Sequence, residues 1–403
     1  MTISRWHRVL SVPALAMLLS IAACGGGGGG GSSSNQPTPN VQSLVVDGGP
    51  AQIPDLAYVS ITICAPGSSA NCQTIDHVQV DTGSTGLRIL ASVLSPSLAL
   101  PQQVDAGGNP VAECAQFVDG YSFGSVRSAD IRIAGEQASG VPIQVIGDAG
   151  FPLIPASCSA SGPPENTVQS FGANGLLGVG VFLQDCGSAC TQAAIPGTYY
   201  TCPASGCMPL QIPLAQQLQN PVALFASDNN GVIVQLPPVP ADGAATATGS
   251  LIFGIGTQAD NALGAATVLT TDPGTGNIVT VWNGQTYTNS YIDAGTSLFA
   301  FGQQAYPFCV AVASGFYCPA APQTLGATLQ GTNARSSAVS FTIGNADQLF
   351  AANYNFYAFD DIAGPGGDGT TFAWGLPFFF GRSVYTAIEG RSTPGGNGPY
   401  FAF

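Results

Sequence analysis

Short hydrophobic runs separated by glycine- and proline-rich turns make up most of the chain from Val41 onward. Apolar runs of this length, bounded by turn residues, are typical of β-strands. The strand-like runs cover residues 58–63, 78–80, 131–133, 142–146, 232–236, 250–253, 278–282 and 378–388. The best helical spacing of apolar positions is confined to 210–218 and 303–312. The pattern therefore predicts an all-β protein, and its length suits two lobes better than one sandwich.

The two halves of the chain carry corresponding motifs. In the first half, residues 77–80 form a largely apolar run that enters the turn Asp81-Thr82-Gly83-Ser84. In the second half, residues 289–292 enter the turn Asp293-Ala294-Gly295-Thr296 in the same way. Each turn is followed downstream by a hydrophobic segment with glycine, at 175–178 and at 374–376. The repeated order of these segments indicates an internal duplication.

Composition narrows the chemistry that the chain can perform. Hydrophobic residues make up 45% of the 403 positions, which is enough for a sizeable core. The 22 acidic residues outnumber eight basic ones, and the net charge of −14 argues against nucleic acid as a partner. The basic residues are all arginine, which excludes lysine chemistry. The histidines are His7 and His77, and so few argue against a His-based triad and a multi-histidine zinc site. Carboxylates and hydroxyls remain, and we expect no cofactor and no metal.

The amino terminus has the pattern of an export signal. Residues 1–23 have a basic head, an apolar run and a small-residue end before Cys24. This ending resembles a bacterial lipobox, which implies a lipidated Cys24; the alternative is an ordinary secretory signal. Residues 24–44 begin with a run of glycines after Cys24 and are predicted to be a flexible tether. The resemblance implies a lipid-anchored protein of the cell envelope, and Gly25 after the cysteine suggests the outer membrane.

The cysteine count fits an oxidising compartment. Ten of the 11 cysteines remain once Cys24 is set aside, an even number that allows five disulfides. The expected pairs are Cys64–Cys72, Cys186–Cys190, Cys202–Cys207 and Cys309–Cys318, with Cys114–Cys158 left over. A zinc site built from the four cysteines between 186 and 207 is the alternative.

The two aspartate turns suggest paired-carboxylate chemistry. Two carboxyl groups held close together share one proton, because like charges in contact cannot both ionise cheaply. One carboxyl then acts as base and the other as acid toward a water molecule that attacks an amide carbonyl. The glycine in each turn permits a tight bend, and the hydroxyl residue after it is placed to hold the carboxylate. The candidate site residues are Asp81 and Asp293, supported by Thr82, Gly83, Ser84, Gly295 and Thr296.

These motifs resemble those of the pepsin-type aspartic peptidases. Segments 175–178, 249–254, 375–391 and 400–403 also resemble segments of that family, so the similarity extends over the whole mature chain. The resemblance implies a bilobal fold of two related β-barrel-like lobes, predicted at 45–238 and 239–403. It further implies an extended polypeptide substrate in the cleft between the lobes. A flap tyrosine is expected at Tyr121, with Phe117 as the alternative.

Two positions depart from the family pattern. Ala294 replaces a threonine whose hydroxyl, in the family, crosses between the lobes and braces the aspartate pair. Thr82 retains the hydroxyl that the resemblance expects to cross between the lobes from the first turn. Arg88 stands where the family often has an aromatic residue, and a cation there could lower the pKa of an aspartate or form a salt bridge elsewhere.

The function that follows is a membrane-anchored, monomeric aspartic endopeptidase that works best at acidic pH and contacts the membrane only through its lipid. The alternative is a catalytically silent pepsin-like lipoprotein that binds a peptide or another ligand in the same cleft. Distortion of the aspartate pair by Ala294 and Arg88 would favour the silent protein. A passive structural lipoprotein leaves the two matched turns unexplained.

Overall fold

The computed structural model describes residues 39–302, 305–366 and 368–403. Strands take up 41% of the described residues and helices 9%, which confirms the all-β prediction. The strands are β1 Val41–Val46, β2 Ala57–Cys64, β3 Cys72–Asp81, β4 Thr85–Leu90, β5 Val111–Gln116, β6 Tyr121–Ile133, β7 Glu136–Ile146, β8 Gly175–Val179, β9 Tyr199–Thr201, β10 Met208–Pro209, β11 Gly231–Leu236, β12 Ala247–Phe253, β13 Val268–Thr270, β14 Ile278–Trp282, β15 Gln285–Ile292, β16 Phe299–Phe301, β17 Gln323–Gln330, β18 Ser336–Ile343, β19 Ala363–Gly364, β20 Phe372–Trp374, β21 Arg382–Ala387, β22 Ser392–Thr393, β23 Gly396–Asn397 and β24 Tyr400–Ala402.

The helical segments of the described residues are short and connect the strands. The α-helices are α1 Ala156–Ser159, α2 Val168–Phe171, α3 Ser188–Gln192 and α4 Ala346–Ala352. The 3-10 helices are Ala91–Val93, Leu214–Gln216, Pro221–Leu224 and Leu376–Phe379.

Six strands of the first half close into a barrel. Around the ring the order is β2-β3-β8-β4-β7-β6, and β6 pairs back with β2 where Ile63 lies opposite Ile131. Inward side chains such as Ile61, Val80 and Ile131 are fully buried. Closure leaves these strands without a free edge, so β3 is firmly held at the point where it enters its aspartate turn.

The second half repeats the strand arrangement around its own aspartate turn. In the first half, β3 pairs in parallel with β8, β8 antiparallel with β4, and β4 in parallel with β7. In the second half, β15 pairs in parallel with β20, β20 antiparallel with β16, and β16 in parallel with β19. The four strands also follow one another in the same chain order. The predicted internal duplication is therefore confirmed at the level of strand pairing.

A run of antiparallel strands joins the two halves. β1 pairs with both β2 and β12, and the sheet continues from β12 through β11 and β21 to β24. β1 begins at Val41, so the range 24–44 predicted as tether overlaps this strand by four residues. Those residues join the sheet because Leu44 is buried and the strand pairs with β12 along its whole length.

The predicted helices at 210–218 and 303–312 are wrong, and the predicted strand at 378–388 is confirmed at β21, Arg382–Ala387, but not at its first residues. Within 210–218 the helical residues are the 3-10 segment Leu214–Gln216, because Pro213 lacks the amide hydrogen that a longer helix needs. The described part of the other range, 305–312, has no helix. Residues 376–379 form a 3-10 helix whose phenylalanines are buried in the core. Trp282 and Trp374 pack in the same aromatic core.

The five expected disulfides are present: Cys64–Cys72, Cys114–Cys158, Cys186–Cys190, Cys202–Cys207 and Cys309–Cys318. The zinc alternative is wrong, because its four cysteines are paired with one another as disulfides. Such bonds indicate that the chain folds in an oxidising compartment outside the cytosol. Cys24 and the predicted signal 1–23 lie outside the described residues. Among the described helices, none has the length and apolar character needed to cross a bilayer.

Candidate functional site

The two aspartates stand at the ends of corresponding strands. Asp81 is the last residue of β3, opposite Gly178 of the parallel neighbour β8. Asp293 directly follows β15, and its amide donates to the carbonyl oxygen of Trp374 in the parallel neighbour β20, at 3.0 Å. Each carboxyl group is thus presented by the same local arrangement of two parallel strands.

The two turns hold their carboxylates with matching hydrogen bonds. The amides of Gly83 and Ser84 donate to Asp81 Oδ1 at 2.7 and 3.1 Å, and Ser84 Oγ donates to Oδ2 at 2.5 Å. In the second turn, the amide of Gly295 donates to Asp293 Oδ1 at 2.7 Å and Thr296 Oγ1 donates to Oδ2 at 2.8 Å. In both turns a backbone amide fixes one carboxylate oxygen and a hydroxyl fixes the other.

The two turns also interlock. A Cβ atom placed on Gly83 would lie 2.7 Å from Asp293 Cγ, and one placed on Gly295 would lie 2.7 Å from Asp81 Cγ. Each carboxyl group therefore packs directly on the glycine of the opposite turn. Asp81 and Asp293 are only 6% and 7% exposed, so the pair is largely withdrawn from bulk water.

Proximity and burial change the ionisation of the pair. Burial raises the pKa of Asp293 well above its ordinary value, and the charge of Asp81 and a hydrogen bond between the two carboxyls raise it further. Burial together with the charges of Asp293 and Asp81 raises the pKa of the neighbouring Tyr291 to about 12. Asp293 therefore keeps its proton to a higher pH than an ordinary aspartate does.

Hydrogen bonds between the halves hold the turns together. Thr82 Oγ1 accepts from the amide of Ala294 at 2.9 Å and donates to the carbonyl oxygen of Ile292 at 3.4 Å. The methyl group of Ala294 is fully buried and cannot return such a bond. Gln79, which the sequence reasoning missed, donates from Nε2 to the carbonyl oxygen of Gly295 at 2.9 Å. The sequence feature that could have indicated Gln79 is one polar amide side chain between two valines that are buried in the strand.

A family model described as "Protein of unknown function (DUF3443)" matches residues 36–403. The chain belongs to this family. The matched region contains both aspartate turns and all ten disulfide cysteines of this DUF3443 member. No curated protein matches the chain.

Arg88 of this DUF3443 member lies in a buried cluster of charged residues. Its Nη2 lies 2.5 Å from Glu113 Oε1 and 3.5 Å from Asp185 Oδ2, and Tyr199 donates its hydroxyl to Asp185. The guanidinium thus forms salt bridges elsewhere, which decides between the two roles considered for it. Burial, and then the charge of Glu113, raises the pKa of Asp185. Glu113, Asp185 and Tyr199 were not predicted, because nothing in the local sequence links them to Arg88.

The two flap candidates lie in and beside one hairpin. Strands β5 and β6 are joined by the turn 117–120, which contains Phe117, and Tyr121 opens β6. Tyr121 is buried in a cluster with the Cys114–Cys158 disulfide and Tyr200. Phe117 packs edge to face on Phe171 with ring centroids 6.0 Å apart. Among the described contacts, neither side chain hydrogen-bonds to Asp81 or Asp293.

Proposed function

We propose that the chain is an aspartic-type endopeptidase in which Asp81 and Asp293 together activate a water molecule. The observation that carries the proposal is the interlocked pair of turns, in which each carboxyl group has a glycine amide and a hydroxyl as donors and packs on the opposite glycine. Such a pair can hold a single proton and so offer one base and one acid side by side.

In the proposed reaction, ionised Asp81 accepts a proton from water as the water oxygen bonds to the amide carbonyl carbon. Protonated Asp293 donates its proton to the carbonyl oxygen, which gives a neutral tetrahedral diol. The carbon–nitrogen bond then breaks, the leaving nitrogen takes the proton from Asp81, and a diol hydroxyl returns a proton to Asp293. The pair ends as it began, with no metal or cofactor involved.

The proposal includes a pepsin-like bilobal fold with an extended polypeptide bound between the lobes. Its support is the four-strand arrangement repeated around both aspartates, together with the motif resemblance of the sequence. We propose that the protein acts as a monomer and does not bind nucleic acid, in line with its net charge of −14.

We further propose that the mature protein is lipid-anchored at Cys24 in the bacterial cell envelope, on the outer membrane. The lipobox-like ending and the glycine-rich tether support the anchor. The five disulfides agree with an exported protein.

The test is cleavage of a peptide library by residues 36–403 between pH 3 and 7. Asp81→Asn and Asp293→Asn should each lower cleavage by about a hundredfold or more, and a statine-type transition-state mimic should block it. Asp76→Asn is the matched control, because Asp76 is an exposed residue of the same strand whose carboxylate contacts His77 and Asn174. Folded protein that binds peptides but cleaves none would support the catalytically silent alternative instead.

A further inference from the structure

Gln79 is an unusual residue for its place in β3. It is 7% exposed and lies between the fully buried Val78 and Val80. Its Nε2 atom donates to the carbonyl oxygen of Gly295, a residue 216 positions away in the second aspartate turn, at 2.9 Å. Burial of a glutamine amide is costly unless it is hydrogen-bonded, so this contact fixes the side chain across the two halves.

The acceptor of this bond touches both carboxyl groups. The amide of Gly295 donates to Asp293 Oδ1 at 2.7 Å. The Cα of Gly295 also faces Asp81, since a Cβ there would lie 2.8 Å from Asp81 Oδ1. A residue that fixes Gly295 therefore fixes the separation and relative orientation of the two carboxyls.

The bond has no counterpart in the other direction. Tyr291 occupies the position equivalent to Gln79, two residues before its aspartate and paired in parallel with β20. Among the described residues, no second-half side chain donates to the carbonyl oxygen of Gly83. Thr82 likewise reaches from the first half to Ala294 and Ile292, whereas Ala294 has no hydroxyl to reach back. Both side-chain braces thus come from the first half.

We propose that Gln79 is a positioning residue of the aspartate pair, which supplies through Gly295 the second brace that Ala294 cannot provide. The catalytic meaning of this brace rests on the function proposed above. The brace itself is a property of the folded protein and can be tested without turnover. Substituting Gln79 should let the second turn move relative to Asp81 and weaken the coupling between the carboxyls.

The test is a pH titration of the Asp81 and Asp293 carboxyl groups, monitored by carbon NMR of protein that carries labelled aspartate. An interacting pair loses its protons in two separate steps, and the separation of the steps reports the coupling. In Gln79→Leu we expect the two steps to draw together by about one pH unit, a tenfold change in the ratio of the two proton-binding constants. Gln79→Met, which fills more of the same space, should behave alike and replaces Gln79→Leu if that variant does not fold.

Gln217→Leu is the matched control. Gln217 is buried like Gln79, and it likewise donates to a backbone carbonyl, that of Gly187, at 2.9 Å. Its substitution should lower stability without changing the separation of the titration steps. Equal titration curves for the Gln79 and Gln217 variants would overturn the proposal.

A double variant tests whether Gln79 replaces the hydroxyl that Ala294 lacks. Adding Ala294→Thr to Gln79→Leu should restore most of the lost separation by supplying the absent hydroxyl. If the double variant titrates like Gln79→Leu, Gln79 does not substitute for that brace. If the protein cleaves peptides, Gln79→Leu should lower kcat about tenfold, in step with the tenfold loss of coupling, and leave KM unchanged. If the titration of Gln79→Leu is altered but the protein cleaves no peptide, the positioning role of Gln79 is supported and the peptidase function is rejected. The two proposals can therefore fail separately.

Discussion

At the scale of single residues, the site depends on two positions that have no side chain. Gly83 and Gly295 lie where any Cβ atom would collide with the carboxyl group of the opposite turn. Glycine is required at these positions for space and not for a special backbone conformation, because neither Gly83 nor Gly295 has a positive φ angle. The same close approach is what desolvates the carboxyls and couples their protonation.

Gly295→Ala should therefore separate the two carboxyls. Its Cβ would lie 2.7 Å from Asp81 Cγ, and overpacking of this kind costs about 1–3 kcal/mol of unfolding free energy. Urea unfolding measures the loss, and carboxyl titration should show reduced coupling. Gly326→Ala is the control, since its Cβ would meet its nearest neighbour at 3.9 Å. Equal unfolding midpoints for the two variants would contradict the argument.

Arg88→Met should destabilise the protein in a pH-dependent way. Removing the cation leaves Glu113 and Asp185 buried without a positively charged partner, a loss of about 3–5 kcal/mol near neutral pH. At pH 4 the loss should be smaller, because Asp185, whose pKa is raised by burial, can then be protonated. Urea unfolding at pH 4 and 7.5 tests this, with Arg127→Met at the more exposed Asp148 pair as control. A cost that is the same at both pH values would contradict it.

At the scale of elements, the tip of the β5–β6 hairpin is joined to the loop before α2. The amide of Tyr121 donates to Pro163 O at 3.1 Å, and the amide of Glu165 donates to Tyr121 O at 2.8 Å. Burial raises the pKa of Glu165 to about 8, and the charge of Asp119 and a hydrogen bond with it contribute. Below that pH Glu165 is neutral, and above it the negative charge of Glu165 is repelled by Asp119.

The hairpin tip should therefore loosen as the pH rises through 8. Hydrogen-exchange protection of the Tyr121 amide, corrected for the intrinsic exchange rate, should fall several-fold between pH 7 and 9. Glu165→Gln cannot ionise, so its protection should stay constant over that range. Glu136→Gln, in the separate β6–β7 hairpin, should keep the pH-dependent step of the unmodified protein. A step that persists in Glu165→Gln would rule out this carboxyl pair as its cause.

The sequence predicts those elements whose side chains are buried in a regular pattern. The runs at 58–63 and 278–282 correspond to β2 and β14. The long pair β17 and β18 was not predicted, because its residues are largely polar or half-exposed and its stability comes from backbone pairing along eight positions. The aspartate turns were predictable because their signal is local and repeated. Gln79 and the partners of Arg88 were not, since each acts on a residue of another element.

At the scale of the whole molecule, acidic groups dominate the response to pH. Burial raises the pKa of Asp55, Asp185 and Asp293 well above the ordinary value, and raises that of Asp361 to about 7. Such groups keep their protons to a higher pH in the folded protein than in the unfolded chain. Their stabilising contribution is complete below the unfolded pKa and is lost as the pH rises through the folded one. The chain has a net charge of −14, so self-repulsion at higher pH acts in the same direction.

The free energy of unfolding should accordingly be highest near pH 4 and decline toward pH 8. Below pH 4 the trend reverses, because hydrogen bonds lower the pKa of exposed carboxyls such as Asp272 and Asp347, whose contribution is lost as the pH falls. Urea unfolding from pH 3 to 9 measures the profile. Asp55→Asn keeps an acceptor for the Phe359 amide but cannot ionise, so it should flatten the decline, whereas Asp272→Asn should leave the decline unchanged. If the free energy of unfolding stays constant or rises between pH 4 and 8, these buried carboxyls are ionised in the folded protein. Asp81 and Asp293 would then have no shared proton with which to act as an acid–base pair.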